Sequence, residues 1–437
     1  VTTNERDDSD LWYAIAFGAV LVAAAAIRFR ALGTTLFEDE VWVANLIRLG
    51  GFHPHSYATP PLFYWIERGW TSIRGLSDTA LREPAAIFGV ALCIVPFFAP
   101  LPRLARFTWS ALLACSSPLI FYSERLKQYN IEAFAAALLL VLFLRMRESR
   151  SARDAVPFFA LAAIAVTTLH SPVFLLAAMA LLSLNRPRLL AGFAVIFALG
   201  GVAYFGWLKP GPESLRLHGD MTLLFTQTGR WVSSPSLLAS NTIHWIGQSL
   251  NLVRFWWLAV PILVPIWLVR ERSVVLLLLA ALPPVEVAAA SALHFYPYGE
   301  VRLMIFCFPA LFLLIAVALA DAARRIPVLM LLLVPVVFSG IRGNVYNDTY
   351  MRVYDLRPMF AMIAAGHHPG EVIYADPSFA APLGYYYPGM ASDIRWTAAG
   401  STSLPGWYVQ RASSLRSASG AALRIGDVIA VHSPQSP

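Results

Sequence analysis

The sequence predicts an all-α polytopic membrane protein of about eleven transmembrane helices, N-terminus inside and C-terminus outside, with a small extracytoplasmic α/β domain at its C-terminal end. Three observations predict it. Hydrophobic residues make up 58% of the chain and Asp, Glu, Lys and Arg only 14%, against roughly 45–50% and 25% in ordinary globular proteins. The apolar residues fall in long runs separated by short charged connections. The basic residues are divided unevenly between alternate connections. So few charges cannot coat a soluble protein of 437 residues. That argues against a cytosolic enzyme, a nucleic-acid-binding factor and a disulfide-stapled secreted domain. The net charge of +7 follows from the collection of Lys and Arg in cytoplasmic loops, so no nucleic-acid partner is expected.

The elements follow in order. Span one is 11–32; no cleavage-site pattern follows it, so it reads as a retained anchor. Residues 33–83 form a first outer loop. Spans are then expected at 84–100, 107–122, 130–145, 156–170, 172–184 and 188–208. A second outer loop covers about 209–251, and further spans lie at 252–269, 273–292, 302–320 and 326–340. Residues 1–340 are thus one transmembrane module. Residues 341–437 form an outer domain with a helical stretch over Tyr350 to Ala365 and β-like runs EVIYA and DVIAVHS. The three cysteines, Cys93, Cys115 and Cys307, sit inside apolar runs and read as inert core residues.

The segment 60–75 is a twelfth apolar stretch. It carries Glu67, Arg68 and Arg74 beside Tyr64, Trp65 and Trp70, the pattern of an amphipathic helix lying in the membrane interface. Parity supports leaving it out. With eleven spans the inner connections hold twelve basic residues: Arg103, Arg106, Arg145, Arg147, Arg150, Arg153, Arg186, Arg188, Arg270, Arg272, Arg324 and Arg325. The short outer connections hold Arg125, Lys127 and Arg302. Counting 60–75 as a span would invert that ratio and break the positive-inside rule.

The sharpest chemical cluster is Leu36-Phe37-Glu38-Asp39-Glu40-Val41-Trp42, three consecutive carboxylates just outside span one. A carboxylate at a membrane edge can serve as general base toward a hydroxyl or bind a cation. Equally, three acids can simply open the helix VWVANLIRLG, since acids suit a helix N-terminus. A divalent cation is the one cofactor left open, with Glu38, His53 and His55 as candidate ligands, against a plain polar loop. On the outer face between spans three and four, Glu124, Arg125, Lys127, Gln128 and Tyr129 offer basic groups where the positive-inside rule disfavours them. They can bind an anionic headgroup or phosphate; a local ion pair with Glu124 and Glu132 is the plainer alternative. Tyr298 and Arg302, in Tyr296-Pro297-Tyr298-Gly299-Glu300-Val301-Arg302, form a third outer cluster. Arg28, Arg30 and Arg82 complete a basic ring at the outer leaflet, and Glu286 is an ionisable group inside a span.

These residues resemble the GT-C superfamily of membrane glycosyltransferases, in the branch holding protein O-mannosyltransferases and the lipid A aminoarabinose transferase. The ordered pattern is Arg28-Phe29-Arg30-x-Leu32-Gly33, Leu36-Phe37-x-Asp39-Glu40, Pro60-Pro61-Leu62-Phe63-Tyr64-Trp65 and Leu81-Arg82-x-Pro84-Ala85-Ala86. Ser123-Glu124 and Tyr129 follow, so that about a third of the chain is covered. Thr59 stands where relatives often carry His or Lys. The resemblance implies a GT-C-like fold and a polyprenyl-phosphate-linked sugar donor. It also implies transfer outside the cytoplasm, usually with inversion, to an envelope glycan, lipid or protein. By family match Asp39 is the general base and Glu40 orients or assists it. Tyr64 and the basic residues, Arg82, Arg125, Lys127 and Arg302 among them, then serve donor binding. Two other classes remain in view, a lipid-linked-sugar transporter or flippase and a non-catalytic envelope assembly protein. Against a transporter, no inverted repeat is visible and the polar clusters avoid the midplane.

Overall fold

A computed structural model describes residues 3–50, 59–149, 152–209, 229–251, 272–340, 342–343, 355–396, 406–411, 422–425 and 428–433. The chain divides into two compact units. The first comprises Val1–Arg30, Phe52–Glu67 and Glu83–Asn344; the second comprises Ala31–Gly51, Arg68–Arg82 and Val345–Pro437. One boundary between the units falls at Asn344/Val345. The unit beyond it also draws in two segments of the first outer loop.

The first unit is helical. Its elements are α1 (Thr3–Phe29), α3 (Pro61–Arg74), α4 (Asp78–Ile94), α5 (Arg103–Cys115), α6 (Ser117–Ser123), α7 (Tyr129–Ser149), α8 (Ala152–Thr168), α9 (Pro172–Leu181) and α10 (Pro187–Ala203). After these come α11 (Pro235–Ser249), α12 (Arg272–Ala292), α13 (Val301–Met304) and α14 (Phe308–Ala323). Helices α3 and α4 contribute their other ends to the second unit. Six helices among the described residues are long and apolar enough to cross a membrane: Leu11–Phe29, Asp78–Phe98, Tyr129–Ser149, Pro187–Leu208, Val274–Ala292 and Val301–Ala323. Each coincides with one of the eleven expected runs. The run 107–122 is α5 and α6, a pair bent by 60°. The runs 156–170, 172–184 and 326–340 are shorter helices, and 252–269 lies outside the described residues. Proline sets the starts of α9 and α10, since Pro172 and Pro187 open their helices where no N–H is needed.

Packing in this unit joins aromatic faces through small residues. Phe158, Phe159 and Phe193 meet edge to face between α8 and α10. Gly192 admits that contact, because a Cβ there would lie 2.4 Å from the Phe159 ring. Helix α3 is one-sided, as its sequence predicts: Phe63, Glu67 and Thr71, spaced one turn apart, are buried, while Trp65 is exposed. Burial pushes the Glu67 carboxyl well above its ordinary pKa.

The second unit contains α2 (Glu38–Leu49) and an α/β assembly of α15 (Arg357–Gly366), β1 (Ile373–Ala375), α16 (Pro377–Tyr386), β2 (Ile394–Trp396), β3 (Gly406–Arg411), β4 (Ala422–Ile425) and β5 (Val428–Ser433). The sheet order is β2-β1-β3-β5-β4. Strand β1 is parallel to β2 and β3, with Ile373 opposite Ile394 and Trp407; β5 is antiparallel to β3 and β4. The expected β-like runs become β1 and β5, and the expected helical stretch becomes α15. Met359, Phe360, Ile363, Ile373, Leu383, Val409 and Val428 form the core. Helix α2 ends at Gly50, whose φ of +73° is left-handed. A Cβ at Gly50 would also meet the Arg68 guanidinium at 2.9 Å.

Candidate functional site

The carboxylate cluster opens α2, and its acids have different surroundings. Asp39 is exposed, whereas Glu40 is fully buried. Trp42, one turn beyond Asp39 on the same side of the helix, is also exposed. Glu40 turns back to accept the Phe37 N–H at 3.0 Å, which satisfies one orphan donor of the helix start. Its two oxygens also accept a bidentate pair from Arg82, Nε to Oε1 at 2.8 Å and Nη2 to Oε2 at 2.7 Å.

Arg82 sits one turn inside α4 and is fully buried. Its Nη1 donates to the carbonyls of Leu32 and Thr34 at 2.9 and 2.7 Å, and its Nη2 to the Thr35 carbonyl at 3.0 Å. A guanidinium has five donors in a planar fork, which suits one carboxylate and several carbonyls at once. A buried ion pair persists only when its remaining polar atoms are satisfied in this way. The loop 32–35 is therefore wrapped around one side chain.

The other side of that loop meets the C-terminal part of the chain. Thr35 Oγ1 donates to Asp355 Oδ1 at 2.6 Å and accepts the Leu356 N–H at 2.8 Å. Leu36 N–H donates to Tyr386 Oη at 2.9 Å, and Tyr386 Oη donates to Asp78 Oδ2 at 2.7 Å. Arg357 holds Asp355 with bonds of 2.7 and 2.5 Å and lies 3.7 Å from Asp78. Burial alone would raise the Asp355 pKa, but the bonds from Arg357 and Thr35 outweigh it and hold it below the ordinary value. Burial raises the Tyr386 phenol, so it stays protonated and can donate. At the far end of α2, Arg68 Nη1 donates to the Ile47 carbonyl at 2.7 Å.

The first unit holds the remaining predicted residues. Arg28 is fully buried near the bend between α5 and α6. It donates to the carbonyls of Leu113 and Ala114 at 3.0 and 3.2 Å and to Ser123 Oγ at 3.1 Å. Those are terminal carbonyls of α5, which a cation suits. Arg30 is exposed. Of the three arginines expected in a basic ring, Arg28 and Arg82 are thus buried and hydrogen-bonded within the protein, and Arg30 alone is exposed.

Tyr64 is buried on α3. Glu124, Arg125, Lys127, Gln128 and Tyr129 are all buried in and beside the turn joining α6 to α7. The Arg125 guanidinium lies 4.6 Å from the centre of the Phe121 ring, a cation–π geometry. Glu132 accepts the Ser171 hydroxyl at 2.5 Å at the start of α9. Tyr298 is buried, its hydroxyl shared with Thr242 at 2.9 Å and Trp245 at 3.1 Å. Arg302 lies 3.3 Å from Glu300, and Arg230 lies 3.7 Å from the same carboxylate. The sequence offered Arg230 only as one residue of a long loop; its carbonyl accepts the Gly299 N–H at 3.1 Å and its Nη1 donates to the Gly299 carbonyl at 2.9 Å, which brings it here. Glu286 has no hydrogen-bond partner among the described residues. His53 and His55 lie outside the described residues, as does the side chain of Glu38, and no metal-binding cluster is found among the described residues.

Thr35, Asp78, Asp355, Arg357 and Tyr386 were not predicted as site residues. No spacing in the chain announces them, because Leu36 and Tyr386 are 350 residues apart. Among solved structures, the chain is similar to ArnT from Cupriavidus metallidurans in the apo state, with 12% identity, 97% of this chain and 98% of that chain covered, and a TM-score of 0.57. It is also similar to the same protein bound to undecaprenyl phosphate, with 13% identity, 96% and 97% covered, and a TM-score of 0.54. The chain shares the fold of that protein. A complex of the Archaeoglobus fulgidus oligosaccharyltransferase AglB with an inhibitory peptide and a dolichol-phosphate matches at 13% identity, 88% of this chain and 64% of that chain, with a TM-score of 0.47. No family model matches the sequence, and no curated protein matches it. At these identities the likeness describes architecture alone.

Proposed function

We propose that this protein is an integral membrane glycosyltransferase of the plasma membrane of a bacterium. It moves a sugar from a polyprenyl-phosphate-linked donor to a hydroxyl of an envelope glycan, lipid or protein on the extracytoplasmic face, with inversion at the anomeric carbon. The observation that carries this reading is the division of labour between adjacent acids. Glu40 is fixed in a bidentate pair with buried Arg82, while Asp39 is exposed on the same first turn of the helix. A base must reach a substrate proton, and of the two acids Asp39 is exposed while Glu40 is buried. The GT-C fold of a protein crystallised with undecaprenyl phosphate supports the donor class.

In the proposed reaction the acceptor oxygen forms a bond to the anomeric carbon as the bond to the lipid phosphate oxygen breaks. Asp39 takes the acceptor proton, and the lipid phosphate leaves with the bonding pair. Arg125, Lys127, Arg302 and exposed Arg30 are the proposed partners of that phosphate, whose charge needs neutralising as it departs. Arg82 keeps a positioning role. No step is assigned to a metal.

The test is mass spectrometry of lipid that co-purifies with wild type and with Asp39→Asn. A polyprenyl-phosphate sugar kept by the variant and discharged by the wild type supports the reading. Undiminished turnover in Asp39→Asn removes Asp39 as base, and absence of any polyprenyl species from both proteins shifts the weight to a transporter. Arg302→Ala is expected to weaken binding of undecaprenyl phosphate; unchanged affinity removes it from the phosphate list.

A further inference from the structure

The residues that hold the carboxylate loop come from two distant parts of the chain, and only one of them, Arg82, belongs to the loop's own neighbourhood in sequence. The other part is the C-terminal segment. From it Asp355 and the Leu356 N–H grip Thr35, and Tyr386 grips Leu36. Asp78 anchors Tyr386 in turn. Thr35 and Leu36 precede Asp39 by four and three residues, and the intervening Phe37 is the extended residue from which α2 starts. Movement at Thr35 or Leu36 therefore rotates or shifts the first turn that carries Asp39. An acceptor-selecting domain needs no such contacts with the backbone behind the base.

We infer that Tyr386 and Asp355 are positioning residues for the general base, so that the C-terminal segment is part of the catalytic apparatus and does more than select an acceptor. The inference rests on the reading of Asp39 as base. Tyr386 contributes one oxygen that accepts from Leu36 and donates to Asp78, so its hydroxyl fixes two elements at one point. Asp355 is itself held by the two-point bond from Arg357, which makes it a firm anchor for Thr35. Neither residue takes or gives a proton in the reaction.

The experiment uses the full-length protein loaded with the lipid-linked sugar recovered from Asp39→Asn, and follows single-turnover discharge into a heat-inactivated envelope extract that retains glycan, lipid and protein. Rates are normalised to bound donor, so loss of folded protein does not count. Tyr386→Phe and Asp355→Asn are expected to lower the rate at saturating extract by about 10- to 100-fold, the scale of a misplaced catalytic group of roughly 1 Å. Half-saturating extract concentration and donor stoichiometry are expected to stay at wild-type values. Thr35→Val replaces only the hydroxyl by a methyl and is the second variant, should Tyr386→Phe not fold. Combined with Asp355→Asn, it is expected to cost less than the sum of the two changes, since both weaken the Thr35–Asp355 contact.

Three results overturn the inference. A normalised rate equal to wild type in the variants does so if Asp39→Asn is inactive. A raised half-saturating concentration at unchanged maximal rate does so by showing that the segment acts in acceptor binding alone. Additive losses in Thr35→Val with Asp355→Asn show that the two act separately. Activity in Asp39→Asn, or no recoverable donor, instead defeats the underlying reading, and the inference falls with it.

Discussion

Arg82→Met tests whether one side chain holds the carboxylate loop together. The substitution conserves length and apolar bulk but removes every donor. Glu40, fully buried, is left without its bidentate partner, and the carbonyls of Leu32, Thr34 and Thr35 each lose a donor. Removing one partner of a buried pair costs about 3–5 kcal/mol, chiefly because the other charge stays buried. That is a large share of the roughly 5–15 kcal/mol that typically separates folded from unfolded protein. At roughly 2–4 °C per kcal/mol for a unit of this size, the thermal transition should fall by about 6–20 °C. The assay is a tryptophan-fluorescence melt in detergent of wild type, Arg82→Met, Glu40→Gln and the double variant. Glu40→Gln keeps an acceptor for the Phe37 N–H, so the double variant removes the stranded charge alone. It should recover at least half of the loss. A shift below about 2 °C in Arg82→Met, under 1 kcal/mol on the same scale, refutes the reasoning, as does a double variant no more stable than the single one.

Further outcomes follow from the same geometry. Arg28→Gln should leave the affinity for undecaprenyl phosphate unchanged, because its donors face Leu113, Ala114 and Ser123; a binding titration that shows weakened affinity restores it to the phosphate site. Gly89→Ala should destabilise the first unit by about 1–3 kcal/mol, the usual cost of overpacking. Its Cβ would lie 2.2 Å from Ser123 Oγ, and Asn130 and Arg28 hold that hydroxyl in place; an unchanged melting temperature counts against this. The lowered pKa of Asp355 gives a signed pH effect. Its contribution is complete above the ordinary Asp pKa of about 3.9 and is lost as pH falls through the lower folded value. Wild type should therefore lose stability over that acid window while Asp355→Asn does so less. Parallel curves for the two proteins would show that the Arg357 and Thr35 bonds carry no net stabilisation.

Much of the helical architecture was legible because hydropathy is a local property. The runs at 11–32, 130–145 and 302–320 each contain enough apolar residues to define a helix without reference to any other part of the chain. The strands at Ile373–Ala375 and Val428–Ser433 were legible for a related reason, since short β-branched runs flanked by turn residues favour strands. The bend between α5 and α6 was less visible. Its Ser116-Ser117-Pro118 junction lies within one apolar run, and composition averages over it.

The site divided differently. Composition and order placed Asp39 and Glu40 at a helix start, but they could not separate an exposed acid from a buried one. Arg28 and Arg82 looked alike in the sequence as cations near a membrane face. The structure gives both the work of satisfying backbone carbonyls, and that depends on the shape of loops the guanidinium meets. The partners of Thr35 and Leu36 were invisible, because Asp355 lies 320 residues from Thr35 in sequence.

The sequence by itself determined that the chain is a helical membrane protein with an α/β tail, and it marked an acidic cluster beside the first span, because burial and periodicity act residue by residue along the chain. Only the tertiary structure decided which acid is buried and which is exposed, and that the C-terminal segment grips the loop behind Asp39. Hydrogen bonds are short and directional, and whether a polar side chain finds a partner depends on atoms that folding alone brings within 3 Å.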